Sequence, residues 1–165
     1  MRKEGLGFVE RAPSVHTVEA VVAAPPARVF AALAEPGGWP VWFPNVREAR
    51  YTTPPPYGIG TIREANVGGT RWVEEMIAWD ADARWAWTVT GASLPFATAQ
   101  VECFELAPAG SGTHVRWTLA LEPRLLGRLG EPFTTRAMQR LWQRAAGNLA
   151  AYLERGSPAA ATDGA

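Results

Sequence analysis

A chain of 165 residues is long enough for one domain that buries roughly 70% of its unfolded surface. Its 16 basic and 16 acidic residues cancel, so it lacks the overall positive field that nucleic acid or an anionic membrane selects. No apolar run approaches the roughly twenty residues of a membrane span, the lone Cys103 excludes an intrachain disulfide, and the opening segment has no signal-peptide core. These readings predict a cytoplasmic chain.

Met1 to Pro13 reads as a loose lead-in. Ser14 to Ala24 is rich in β-branched residues and alternates as a strand does. Pro25-Pro26 ends it and suits the first turn of a short helix, PARVFAALA, that puts Val29, Phe30 and Leu33 on one side. Pro36-Gly37-Gly38 breaks this helix, and WPVWFPNV forms a second short helix or compact turn. Val46 to Thr53 is strand-like, ended by three prolines and the turn YGIG. A series of strands follows at Thr61–Val67, Thr70–Trp79, Arg84–Thr90, Ala97–Leu106 and Thr113–Glu122. Gly68-Gly69 makes a hairpin of the first two. Short loops between successive strands predict an antiparallel meander.

From Thr134 to Glu154 the apolar residues Met138, Leu141, Trp142, Ala145, Leu149, Tyr152 and Leu153 recur every three or four positions. That spacing marks one face of a long α-helix, and Arg136, Arg140 and Arg144 form a separate stripe along another. A single amphipathic helix after a run of strands needs a sheet to receive its apolar side. The expected fold class is therefore α+β, one domain over residues 14–155, with tails at 1–13 and 156–165.

Several local motifs occur in a familiar order. They are Ala24-Pro25-Pro26 with Val29-Phe30, Trp39 to Pro44, Gly58-Ile59-Gly60-Thr61, Asp80 to Trp87, and Gly112-Thr113-His114-Val115. Over about Ser14 to Glu154 the chain resembles the START-like (SRPBCC) superfamily, especially its polyketide cyclase/dehydrase branch. The resemblance implies the helix-grip fold: a curved antiparallel sheet of about seven strands wrapped on the C-terminal helix, with a ligand cavity between. Fold analogy implies the cavity and not a reaction.

Eight tryptophans suit the wall of such a cavity as well as a core. The expected lining is Trp39, Trp42, Phe43, Trp85, Trp87, Gln100, Phe104, Trp117, Met138, Leu141, Trp142 and Ala145. Gln100 and Glu102 turn inward if Phe104 and Leu106 do, which is the preferred alternation. Glu74 and Glu75 face opposite ways, and either Trp72, Glu74 and Met76 or Val73, Glu75 and Ile77 point in. Arg63 and Arg71 flank the Gly-Gly turn and read as surface ion pairs, or else as a clamp for an acidic substituent. The weak candidates for proton chemistry are Glu75, Glu102, His16 and Arg63, without a defined constellation. His16 reads as a surface or hydrogen-bonded residue, and His114 as facing solvent.

No nucleophile elbow, paired CxxC, HExxH or phosphate loop is present, and two spaced histidines with one cysteine make a protein-built metal site improbable. No metal and no cofactor is expected. The first functional expectation is a pocket for a hydrophobic or aromatic molecule, lipid- or polyketide-like. The second is a cyclase, aromatase or dehydratase acting on a poly-carbonyl substrate there. The third is a protein-interaction module, monomer or homodimer, that docks through Arg136, Arg140 and Arg144.

Overall fold

The computed structural model describes residues 1–124 and 131–156. A short helix α1 (Phe8–Arg11) precedes β1 (Ser14–Val22), α2 (Pro26–Ala34), a single 3₁₀ turn at Pro36–Gly38, and α3 (Trp39–Trp42). Then come β2 (Val46–Tyr51), β3 (Ile62–Val67), β4 (Thr70–Asp80), β5 (Arg84–Ala92), β6 (Ala97–Ala109), β7 (Gly112–Pro123) and the long α4 (Glu131–Glu154).

All seven strands form one antiparallel sheet in the order β1-β7-β6-β5-β4-β3-β2. The meander runs unbroken from β2 to β7, and β1 closes the far edge beside β7. Because β1 and β2 lie at opposite edges, the α2–α3 segment must cross the width of the sheet. This is the helix-grip arrangement expected from the sequence, with the sheet curved onto α4.

Local chemistry sets these elements. Pro26 opens α2 at a position where a missing N–H is harmless. Gly68 and Gly69 take φ of 59° and 89°, so the two-residue β3–β4 turn matches the twist of its strands. Gly112 begins β7 where a Cβ would stand 2.6 Å from the Val22 carbonyl oxygen, so only glycine fits. β1 alternates buried and exposed along its length, with Ser14, His16, Val18, Ala20 and Val22 inward. On α4, Met138, Trp142, Ala145, Ala146, Leu149, Tyr152 and Leu153 are buried in the main core. Arg28 of α2 donates to the Leu153 carbonyl and places a cation at the end of α4, where the helix dipole favours one. The Asn148 amide donates to the Trp42 carbonyl at 3.2 Å, tying α4 to α3.

The lead-in is a correction to the sequence reading. Met1 to Pro13 lies against the outer face of the sheet. The terminal ammonium donates to the Thr90 carbonyl at 2.8 Å, Arg2 N–H to the Thr98 carbonyl at 2.8 Å, and Lys3 pairs with Glu75 at 2.5 Å. Phe8 is 3% exposed and packs with Ala99, Val101 and Ala120, while Leu6 meets Ala78, Ala86 and Cys103. The physical cause is the composition of β5 to β7, whose outer positions are small and apolar and would otherwise face water. Of the expected C-terminal tail, residues 157–165 lie outside the described residues.

Candidate functional site

Between the concave face of the sheet and the α3–α4 side lies a cavity of about 140 Å³. Its apolar wall comes from Trp39 and Phe43 of the α3 region, Trp72, Trp87, Phe104 and Trp117 of the sheet, and Leu141 of α4, with Val46, Ala49, Ala65 and Val67 completing it. Four polar side chains enter the same space: Arg63, Glu74, Gln100 and Glu102.

Strand register explains how they meet. Arg63 on β3 pairs directly with Glu74 on β4, and Trp87 on β5 with Glu102 on β6. Arg63 Nε donates to Glu74 Oε2 at 2.5 Å, with both side chains almost completely buried. Three indoles surround the guanidinium: its carbon lies 4.5 Å from the Trp39 ring centre, 4.8 Å from Trp85 and 4.6 Å from Trp87. Desolvated cation–π contacts contribute about 2 kcal/mol or more, and they offset part of the cost of burying the charge. Among the described residues Arg63 Nη1 nevertheless has no hydrogen-bond partner, and neither have the buried indole N–H groups of Trp42, Trp85, Trp87 and Trp142. A buried donor left unmade costs about 1–3 kcal/mol.

Glu102 sits beside this pair. Gln100 Nε2 donates to its Oε1 at 2.8 Å and Trp117 Nε1 to its Oε2 at 2.8 Å. Burial, reinforced by the charge of Glu74, pushes its carboxyl up from 4.5 to about 7, against these two hydrogen bonds and Arg63. A carboxyl in that range exchanges a proton near neutral pH, which is what a general acid or base requires.

Indole and phenyl rings fill much of the rest. Phe104 stacks on Trp117 at 5.5 Å and 7°, and on Trp87 at 5.7 Å and 22°. Trp142 meets Phe104 edge-on at 5.4 Å. Of the residues expected to line the cavity, Trp39, Phe43, Trp87, Gln100, Phe104, Trp117 and Leu141 do so. Trp42, Trp85, Met138, Trp142 and Ala145 belong instead to the packed core behind the wall, because α4 presses its central face flat against the aromatic cluster.

The proton-chemistry candidates divide. Glu102 and Arg63 reach the cavity, so Arg63 is no surface ion pair. Glu75 is corrected: it faces outward to Lys3, and Glu74 takes the inward place. His16 is buried, with Nε2 2.9 Å from Ser14 Oγ and Nδ1 2.7 Å from Thr135 Oγ1, and joins β1 to α4 without lining the cavity. His114 is exposed beside Glu19. Arg71 stays outside, in a wider groove of about 520 Å³ bordered by Glu48, Arg50 and Glu64. Arg136, Arg140 and Arg144 are exposed, with no ion pair among the described residues. Among those residues no cluster of His, Cys, Asp or Glu could hold a metal ion, and no helix is long and apolar enough to cross a membrane.

A sheet curled on one helix, with a polar cluster enclosed between them, can be compared with known proteins. The family model described as polyketide cyclase / dehydrase and lipid transport matches residues 15–154. The chain belongs to that family. It is 32% identical over 117 residues, 70% of each chain, to an uncharacterized protein of Mycobacterium tuberculosis. Among solved structures it is similar to an aromatase/cyclase from a Streptomyces species, with a TM-score of 0.66 at 18% identity over 90% of this chain and 99% of the other. It is also similar to a START superfamily protein from Mycobacterium smegmatis, with a TM-score of 0.69 at 14% identity over 86% and 97% of the two chains. At these identities the structural neighbours establish the fold, and the family match establishes membership of the polyketide cyclase / dehydrase and lipid transport family.

Proposed function

We propose that this chain binds a small apolar or aromatic molecule in the cavity between the sheet and α4. One observation carries the reading: an aromatic-walled cavity contains a converging set of polar side chains, Arg63, Glu74, Gln100 and Glu102. Apolar walls with a few fixed polar anchors are what small-molecule sites require. The test is a titration of intrinsic tryptophan fluorescence against small aromatics, polyphenols and lipids, repeated by calorimetry. Saturable one-to-one binding supports the reading, and the absence of saturation across the whole panel refutes it.

A second reading, an enzyme of the cyclase or dehydratase kind, is favoured by Glu102. Its carboxyl is shifted to about 7 within reach of the same cavity as the Arg63–Glu74 pair. Protonated, it gives a proton to a carbonyl or departing hydroxyl; ionised, it takes one from the carbon beside a carbonyl. Incubation with a poly-carbonyl thioester distinguishes the two readings. Cyclised or dehydrated product that disappears in Glu102→Gln supports catalysis, and product at the buffer rate leaves binding alone.

A further inference from the structure

Two carboxyls and one guanidinium share the cavity, and only one of the carboxyls is matched by charge. Glu74 closes on Arg63, and the pair is sealed from a guest, with Glu74 4% and Arg63 2% exposed. Glu102 differs. It lines the cavity with part of its surface accessible, and no cation among the described residues pairs with it. Its hydrogen bonds come from the neutral donors Gln100 and Trp117, one to each oxygen, so each oxygen keeps a lone pair.

The surroundings of that carboxyl are electrically negative. Glu74 raises its pKa more than Arg63 lowers it, so the ion pair acts on Glu102 as a net negative charge. The other elements around the cavity contribute Trp39 and Phe43 near α3, Trp87 of β5, Trp117 of β7 and Leu141 of α4, all uncharged. His16 of β1 stands in line with Glu102 across Leu119, and its ring nitrogens are engaged with Ser14 and Thr135. Aromatic faces add negative potential of their own and attract cations. Buried charges in proteins are paired, and the described residues supply Glu102 with no counter-charge. A guest carboxylate would enter beside two acidic groups, and a neutral guest would leave Glu102 unmatched.

Resting on the reading that this cavity binds a small molecule, we infer that its guest is a small organic cation whose ammonium group pairs with Glu102. The ammonium N–H groups donate to the carboxylate oxygens, and the apolar remainder lies against the aromatic wall. That remainder is about one ring in size, because a volume of about 140 Å³ is close to the roughly 150 Å³ known to hold one benzene.

The test is a calorimetric titration of the full chain at pH 6 and pH 8. The probes are benzylamine, benzyl alcohol and toluene (its neutral counterparts), benzoate, and a long-chain fatty alcohol as a large guest. Benzylamine is expected to saturate one-to-one at pH 8, at least tenfold tighter than the other four. It binds the ionised carboxyl, so its affinity should fall about tenfold at pH 6, on the protonated side of a carboxyl near 7. At pH 6 about one proton should leave the protein per amine bound, read from the dependence of the heat on the buffer. Glu102→Gln should weaken benzylamine at least tenfold at pH 8 and abolish the pH dependence, with near-ultraviolet circular dichroism reporting the fold. The proton release needs no variant and decides the matter if Glu102→Gln does not fold. Benzyl alcohol, toluene or benzoate binding as tightly as benzylamine, benzylamine binding without proton release, or a folded Glu102→Gln that binds it like the parent each overturn the inference. Binding of neutral or large probes alone overturns it and leaves small-molecule binding standing, whereas no binding by any probe removes both.

Discussion

Arg63 and Glu74 face each other at paired positions of β3 and β4, with Nε 2.5 Å from Oε2 and neither side chain open to solvent. Removing one partner of such a pair strands the other charge in the interior, whereas removing both leaves nothing to solvate. Arg63→Met is therefore expected to cost about 3–5 kcal/mol in urea unfolding. Arg63→Met combined with Glu74→Leu should recover most of that loss. Equal destabilisation in the single and double variants would show that the pair's charges are not what the fold depends on.

Glu102 sets a pH dependence whose sign follows from its raised pKa. The folded state holds its proton to about 7, while the unfolded chain releases it near 4.5. Its contribution to stability is therefore full below about 4.5 and is lost as pH rises through 7. The loss is at most about 3 kcal/mol, and less in so far as water enters the cavity. Glu102→Gln removes the titration. The variant should gain stability relative to the parent between pH 5 and pH 8, as measured by denaturant midpoints at each pH. A constant difference across that range would place the titration elsewhere.

Phe8 anchors the first thirteen residues to the outer face of the sheet. Phe8→Ala should cost about 3 kcal/mol, the range of a buried phenyl in a core. By releasing the segment it should also loosen Leu6, which packs over Cys103, whose thiol burial pushes up to about 12. Labelling by a thiol reagent should therefore be slow in the parent and faster in the variant. A change within about 0.5 kcal/mol, as for an ordinary surface substitution, would return the segment to the status of a tail.

Arg136, Arg140 and Arg144 make no ion pair among the described residues, which fits a solvated face of α4. Changing all three to Gln should shift stability by no more than about 0.5 kcal/mol and leave ligand titrations unaltered. Loss of a specific oligomer in sedimentation after that change would instead support docking through this stripe.

The pairing of Glu74 with Arg63 was within reach of sequence reasoning. The Gly68-Gly69 turn makes Val67 and Thr70 partners, and equal steps back and forward from them bring Arg63 opposite Glu74. The same step counts through the Asp80–Ala83 turn do not carry over, because irregularities after Val73 and Met76 shift the β4–β5 register. Gln100 and Glu102 were legible from their alternation with Phe104. Trp72 was not, since its face depended on the unresolved choice between Glu74 and Glu75.

The chain's own periodicities determined the architecture. Alternation of two marked the strands, recurrence at three and four marked α4, and the paired glycines marked the first hairpin of the meander. Those signals are local, because backbone geometry repeats over a few residues whatever lies elsewhere. What only the tertiary structure decided is which residues share an interior. Trp39 from α3 and Trp85 and Trp87 from β5 converge on a guanidinium from β3, Met1 to Pro13 covers the outer sheet, and the aromatic rings leave about 140 Å³ open. Burial belongs to the contacts between distant segments, so neither the cavity's size nor the polar groups that share it can be read from spacing along the chain.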